Sequence, residues 1–407
     1  MIKINSKGIS QIYLAVVVIV VLVVGVAIGY MAVPTAPAIT TTVTSTSITT
    51  TTLPTTLTLT STTTTQAPYV VPTGLQAQII LPINPLNIAQ GNLTTAVKAG
   101  VIEGAITDKS CRVFYDEKLT TFNIYMVDTS VPNPKAVQVA KMPLVQNSPA
   151  SGSPQMVLPN ILDMAWDHQG NLIIAGRGLP NQNPAKPVGY VWKVDANKLD
   201  PNNPGTAYMF GNGSIAANGI AIDKHDNVYL SGNNTIYMVP ATGGQAKILQ
   251  IWVNGTNNIA FNQNGTILWA TSTALGAIWK LDIAPDGSIT GKSIWITSPK
   301  LLGADGIAVD TQGNIWVTSI ARNAIVVVTP DKKVIDVIKN DNNGPLEGPT
   351  DIHFCNKSIY IGGSDTERAP VDYDKTNLEA GNRPRYPGVG PSISKAFVGI
   401  DGLPLPP

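Results

Sequence analysis

Four side chains carry oxygen atoms suited to a hard metal ion, and each opens a copy of one repeated phrase. They are Glu103 in "EGAITDKSCRVFYDE", Asn218 in "NGIAIDKHDNVYLSG", Asn257 in "NNIAFNQNGTILWAT" and Asp305 in "DGIAVDTQGNIWVTS". Carboxylate and carboxamide oxygens are ligands for Ca²⁺, with Mg²⁺ or Mn²⁺ as alternatives, whereas Zn²⁺ calls for His or Cys. The histidines, His168, His225 and His353, do not stand at these positions. Two carboxylates facing one another in a narrow, partly dry space repel, and a cation between them resolves the conflict. Glu103, Asn257 and Asp305 agree in register and are read together as metal ligands. Asn218 alone is better explained as turn chemistry, since Asn before Gly commonly satisfies local backbone groups. No nucleophile elbow, phosphate loop or Cys-x-x-Cys is present, so serine-hydrolase, nucleotide and redox chemistry lack support.

These residues can meet only if the elements carrying them converge. Two further copies, "LDMAWDHQGNLIIAG" and "TDIHFCNKSIYIGGS", bring the phrase to six, starting at 103, 162, 218, 257, 305 and 350. Each reads as a short apolar strand, a turn rich in Asp, Asn and Gly, and a second apolar strand, which is hairpin chemistry. Repetition at this spacing predicts an all-β, six-bladed β-propeller, because one blade cannot bury both faces and must stack on neighbours around a channel. The first strand of each blade lines that channel. Its starting positions therefore form a ring of Glu103, Leu162, Asn218, Asn257, Asp305 and Thr350.

The remainder of the chain frames this domain. With 407 residues, 43% hydrophobic and 13% charged, there is material for a large core. A net charge of +1 with scattered Lys and Arg offers no basic stripe, so nucleic acid is not an expected partner. Residues 1–33 hold a short basic start and an uncharged apolar run long enough to span a bilayer as a helix. Because "SKGIS" precedes that run, the segment resembles the class III, prepilin-type signal of archaeal surface proteins, with cleavage after Gly8; an ordinary signal anchor is the alternative. Lys3 and Lys7 place that end inside and everything beyond residue 34 outside the cell. Residues 34–72 are Thr-rich with Pro and form a disordered, stalk-like linker typical of O-glycosylated spacers. Residues 73–407 are the propeller. Acceptor triplets at Asn92, Asn212, Asn233, Asn254, Asn264 and Asn356 suit an exported glycoprotein, although chance supplies several such triplets in an Asn-rich chain.

From about residue 100 onward the chain resembles the gluconolactonase and regucalcin (senescence marker protein) family of six-bladed propellers. The matching phrases are "EGAITDKSCRVFYDE", "TNNIAFNQNGTILWATS" and "ADGIAVDTQGNIWVTS", followed by the tail "KAFVGIDGLPLPP". The resemblance implies one divalent cation on Glu103, Asn257 and Asp305, with Asn218 as fourth ligand or substrate contact. It implies a hydrolase that opens sugar lactones or related cyclic esters, with Asp305 as general base. Three departures qualify this. Asn258 replaces a family Gly, Ala105 replaces a Pro, and "GSIAANG", with Ile215, lacks the Arg that holds substrate in family enzymes. The alternative is a non-catalytic surface propeller that binds sugar or protein, or a filament or surface-layer subunit assembled through the N-terminal helix.

Cys111 and Cys355 fall in the first and sixth copies, which become neighbours when the ring closes. A disulfide would clasp the propeller; two buried free thiols are the other reading. Trp166, Trp252, Trp269, Trp279, Trp295 and Trp316 mostly fall in strands and are read as blade packing. The polar stretch 362–388 is read as a loop rather than a lid.

Overall fold

The computed structural model describes residues 69–82, 102–116, 123–147, 155–157, 160–177, 188–215, 217–340, 345–364 and 392–404. The predicted signal, membrane helix and linker, the acceptor Asn92, and positions 365–388 of the polar stretch lie outside them. Among the described residues no helix is long and apolar enough to cross a membrane.

Six sheets radiate from a common axis, as the repeat predicts. Their innermost strands are Ala105–Thr107, Asn160–Trp166, Ile220–Ile222, Thr256–Phe261, Ala304–Val309 and Pro349–Cys355, and each lies against the next around a closed ring. Apolar residues alternate along them because a strand turns successive side chains to opposite faces. Ile220 and Ile222 thus pack with Ile173, Val191 and Leu230 toward the second blade, whereas Ala221 joins Tyr229, Ile259 and Phe261 toward the fourth. Each cluster is shared by two blades, so no blade has a complete core of its own. Burying one Ile or Leu fully contributes about 1.5–3 kcal/mol, and the blades gain that only by stacking. Of the predicted packing tryptophans, Trp269, Trp279 and Trp316 are buried. Trp252 is not: it is 70% exposed, with a φ of 62° just after the outer strand of the third blade.

The ring closes in two ways. The sixth blade takes Pro349–Cys355, Ser358–Gly363 and Ser392–Phe397 from the C-terminal part and Gln78–Pro82 from the N-terminal part as its outer strand. Cys111 and Cys355 are joined across the first and sixth blades, with Cα atoms 5.5 Å apart and a sequence separation of 244. On the chain-entropy model a loop of that length is worth about 5 kcal/mol.

Hub packing follows a rule. The residue after each ring position alternates between glycine and a short polar side chain: Gly104, Asp163, Gly219, Asn258, Gly306, Asp351. A Cβ on Gly219 would stand 2.5 Å from Asn258 Cα, and one on Gly306 would stand 2.6 Å from Thr350 O and 2.7 Å from Asp351 Cα. Six side chains cannot share this cross-section, so alternate blades contribute none. The polar side chains bend back to the backbone. Asp163 accepts from Met164 N (2.7 Å) and from Ile220 N of the next blade (2.9 Å). Asp351 accepts likewise from Ile352 N (2.8 Å) and Ala105 N (3.0 Å), and Asn258 accepts from Ile259 N (2.7 Å).

Two outcomes test this description. Replacing Cys111 and Cys355 by Ser should cost about 2–5 kcal/mol in denaturant unfolding, and adding reductant to the native chain should cost the same; unchanged midpoints would remove the clasp. Gly306→Ala should cost about 1–3 kcal/mol through overpacking, although Ala is otherwise the milder residue.

Candidate functional site

The ring positions sit within two residues of the starts of the innermost strands, all at one end of the hub. Their placement is secured from the neighbouring strand. Asp116 Oδ1 accepts from Glu103 N (3.2 Å) and Gly104 N (2.9 Å). The hydroxyls of Ser231, Thr271 and Thr318 accept from Gly219 N (3.0 Å), Asn258 N (2.9 Å) and Gly306 N (2.7 Å). The same hydroxyls donate to the next blade: Ser231 to Asn257 O, Thr271 to Asp305 O (2.6 Å) and Thr318 to Thr350 O (3.3 Å). In the third, fourth and fifth blades one small polar residue therefore holds its own strand and the following one. The sequence signal for this was a Ser or Thr recurring near the end of each second strand, in "YLSG", "WATS" and "WVTS".

Four of the six ring residues offer carboxylate or carboxamide oxygens. Glu103, Asn218 and Asn257 are half-buried, and Asp305 is buried. Leu162 is buried and apolar. Thr350 is turned to the backbone, its hydroxyl lying 3.2 Å from Ile102 O and 3.1 Å from Gly362 O. The orientation of Asn257 follows from its partner. Thr273 gives its only hydroxyl proton to Ala304 O (2.8 Å), so toward Asn257 it can only accept. It therefore takes Asn257 Nδ2 at 3.0 Å, which leaves the carboxamide oxygen as the open atom. That is the atom a hard cation would use, and the donor set of Glu103, Asn257 and Asp305 fits such an ion chemically.

A second group lies one residue further along the channel, and the ring reading missed it. Asp163 and Asp351 are both buried, in the second and sixth blades, and oxygens of the two carboxyls lie within 4.8 Å of each other. They meet because Gly104, in the blade between them, has no side chain; a Cβ there would stand 3.0 Å from Asp163 Cα. Burial pushes the Asp163 carboxyl well above the usual carboxylate range, and the charge of Asp351 adds to this against the two N–H donors. His353 Nε2 lies 3.4 Å from Asp351 Oδ2, and ligand atoms of all three residues fall within 4.8 Å of one another. His353 is off the ring but lines the channel, whereas His168 lies in a turn against Asp226, at 2.7 Å, and His225 lies in another. Asn258, a departure from the family pattern at the sequence level, is the third member of the alternating set.

The chamber beyond is lined by these polar groups and by apolar residues such as Met164, Ile220, Ile259 and Phe261. Its far end is covered by the C-terminal tail. Thr311 N donates to Asp401 O (2.9 Å) and Leu403 N to Val309 O (2.9 Å), which sets Leu403 and Pro404 against the chamber.

The raised Asp163 fixes the sign of a pH effect. Unfolding returns this carboxyl to its ordinary value, so the native state binds more protons and stability falls as pH rises above about 4 toward the folded pKa. Asp163→Asn should flatten that fall and leave the protein at least as stable at neutral pH, since Asn258 already fills the equivalent position. Parallel urea-midpoint profiles for variant and native chain across pH 4–8 would refute the assignment.

Against known proteins, residues 231–358 match the family model described as SMP-30/Gluconolactonase/LRE-like region. No curated protein sequence matches the chain. Among solved structures, a luciferin-regenerating enzyme is similar at 12% identity, covering 75% of this chain and 95% of that one, with a TM-score of 0.51. A putative gluconolactonase is similar at 13% identity, over 82% and 95% of the two chains, also with a TM-score of 0.51. The calcium-binding protein regucalcin from Agrobacterium tumefaciens is similar at 13% identity over 74% and 91%, with a TM-score of 0.48. At these identities the two likenesses with a TM-score of 0.51 speak for the fold alone. The chain is therefore a six-bladed β-propeller that carries a gluconolactonase-like region across residues 231–358 and so includes both Asn257 and Asp305.

Proposed function

We propose that the chain is a divalent-metal-dependent hydrolase that opens sugar lactones or related cyclic esters at the ring end of the hub. Glu103, Asn257 and Asp305 would hold the ion, Ca²⁺ in the first instance and Mg²⁺ or Mn²⁺ otherwise, with Asn218 as fourth ligand or substrate contact. When bound, the ion supplies a Lewis acid for the lactone carbonyl. The chain's own part is acid–base work and positioning. Asp305 accepts the proton of the attacking water, the ring C–O bond breaks, and the proton passes to the departing alkoxide, giving the hydroxy acid. The hydroxyl of Thr273 keeps Asn257 turned with its oxygen toward the site, and Thr271 holds the Asp305 backbone. The observation that carries this reading is the fixed Asn257 carboxamide, whose oxygen is left open on the same ring as the carboxylates of Glu103 and Asp305.

In this reading the propeller is displayed outside the cell, on a membrane anchor formed by residues 1–33 and a stalk formed by residues 34–72. The Cys111–Cys355 disulfide supports an oxidising compartment. The acceptors Asn212, Asn233, Asn254, Asn264 and Asn356 are all exposed, as glycosylation would require.

One observation favours a second reading. The third-blade phrase "GSIAANG" has no basic residue to hold a sugar acid, which suits a non-catalytic surface module that binds sugar or protein, or a filament or surface-layer subunit.

The test is lactone opening by the full chain, followed as acid release with and without chelator. Activity should require the cation, and Asp305→Ala should lower kcat/KM by at least about 10²-fold, the scale of a lost general base. Cation binding without turnover on any lactone would select the surface module, and an Asp305→Ala variant that keeps both ion and activity would refute the role of that residue.

A further inference from the structure

We propose that Asn254 carries an N-linked glycan whose first sugar packs on the exposed ring of Trp252; the proposal rests on the exported, glycosylated surface inferred above. The two residues stand in the stretch "WVNGT", 252 to 256. Val253 between them is fully buried, so its neighbours turn outward, and both are exposed. Two residues of extended chain span at most about 7 Å, so a sugar at the end of the Asn254 side chain reaches the indole. The backbone that presents them is tied down. Asn254 O accepts from Ser272 Oγ (2.8 Å) and Trp279 Nε1 (3.2 Å), and Gly255 N donates to Asn234 Oδ1 (2.7 Å). Lys292 Nζ donates to Ile251 O (2.6 Å) and Trp252 O (3.3 Å). The turn closes with a φ of 71° at Gly255, a conformation that glycine adopts freely.

The exposed indole singles out this acceptor. A sugar ring has a face of C–H groups whose slight positive charge suits the negative face of an aromatic ring. Two other acceptors follow an aromatic residue at the same spacing, and there the ring is already engaged. Phe210, before Asn212, packs against the cluster between the second and third blades, with Lys193 Nζ 5.3 Å from its centroid. Phe354, before Asn356, stands edge-on to Trp316 at 5.4 Å. Asn233 and Asn264 have Ser231 and Asn262 at that place. Thr256, the hydroxyl residue of the acceptor triplet, is about nine-tenths buried, and its hydroxyl has no partner. A transferase must reach that residue, so attachment precedes the closure of the third blade on the fourth. In the transfer, Asn254 Nδ2 bonds to the anomeric carbon of a lipid-phosphate-linked oligosaccharide. The bond from that carbon to the phosphate oxygen breaks, the lipid phosphate leaves, and the amide proton passes to the transferase.

Occupancy and contact are read separately. Glycopeptide mass spectrometry of the full chain, isolated from its own cells, gives occupancy at each acceptor, and hydroxyl-radical footprinting gives the solvent access of Trp252. Asn254 should be occupied, and Trp252 should oxidise several-fold more slowly than in Asn254→Gln, which loses the glycan and keeps the backbone contacts. Melting adds a coupling: Asn254→Gln and Trp252→Ala should each lower Tm by about 2 °C, and the double variant by no more than either alone. Circular dichroism confirms that each variant folds. A bare Asn254 beside occupied acceptors elsewhere would overturn this site and leave the exported surface standing. So would an occupied Asn254 with Trp252 oxidised as fast as in the variant. Bare asparagines throughout would overturn both.

Discussion

Space at the hub is the constraint on which the rest of this molecule depends. Six strands approach one axis so closely that a methyl group on alternate blades would meet backbone at about 2.5–3.0 Å. Glycine on three blades and Asp or Asn on the other three is one way to fill that cross-section. The polar choice has a further reason: each strand start leaves N–H groups facing a narrow, largely buried space, and a short side chain bending back satisfies them. Asp163 and Asp351 do this twice each, once within their own blade and once across to the next. The hub is thus both the packing solution and the interblade joint.

The same arrangement generates the chemistry. Glycine at 104 lets two carboxyls from non-adjacent blades come within 4.8 Å of each other, and burial then raises the pKa of one of them. On the outer side of that layer Glu103, Asn218 and Asn257 are only half-buried, and hydroxyls one strand out hold the backbone of the third, fourth and fifth blades. Side chains that satisfy the backbone and side chains left open for a ligand are therefore consecutive residues on one strand, turned to opposite ends of the same problem. Thr273 shows the economy of the design, since a single hydroxyl ties blade four to blade five and sets which end of Asn257 remains available.

Much of this architecture was legible in the chain. Six copies of one phrase, with turns such as "DTQGN" and "DKHDN", predicted six blades, and the turns form as read. Asp310 accepts from Gln312 N and Asn314 N at 2.9 Å and from the Asn314 side chain at 2.7 Å, and Asp223 and Asp167 repeat the pattern. The positions of Glu103, Asn218, Asn257 and Asp305 at strand starts were likewise readable, because register is a local property carried by each hairpin. What the ring reading overlooked was the neighbouring column, although Gly, Asp, Gly, Asn, Gly, Asp was written there in order. Read one copy at a time, Asn258 looked like a lost glycine; read around the axis, it is a member of an alternating set.

By itself, then, the amino-acid sequence determined the repeat, the strand and turn pattern, the number of blades and the end of the hub at which oxygen donors collect. Those features depend on contacts within about fifteen residues. Only the tertiary structure decided that Asp163 meets Asp351 across Gly104, that His353 joins them rather than lying idle in its strand, that Leu403 covers the far end of the channel, and that Trp252 stays outside the core. Each of these depends on which blades are neighbours once the ring closes and on how little room the axis leaves, and neither quantity exists in the chain before it is closed.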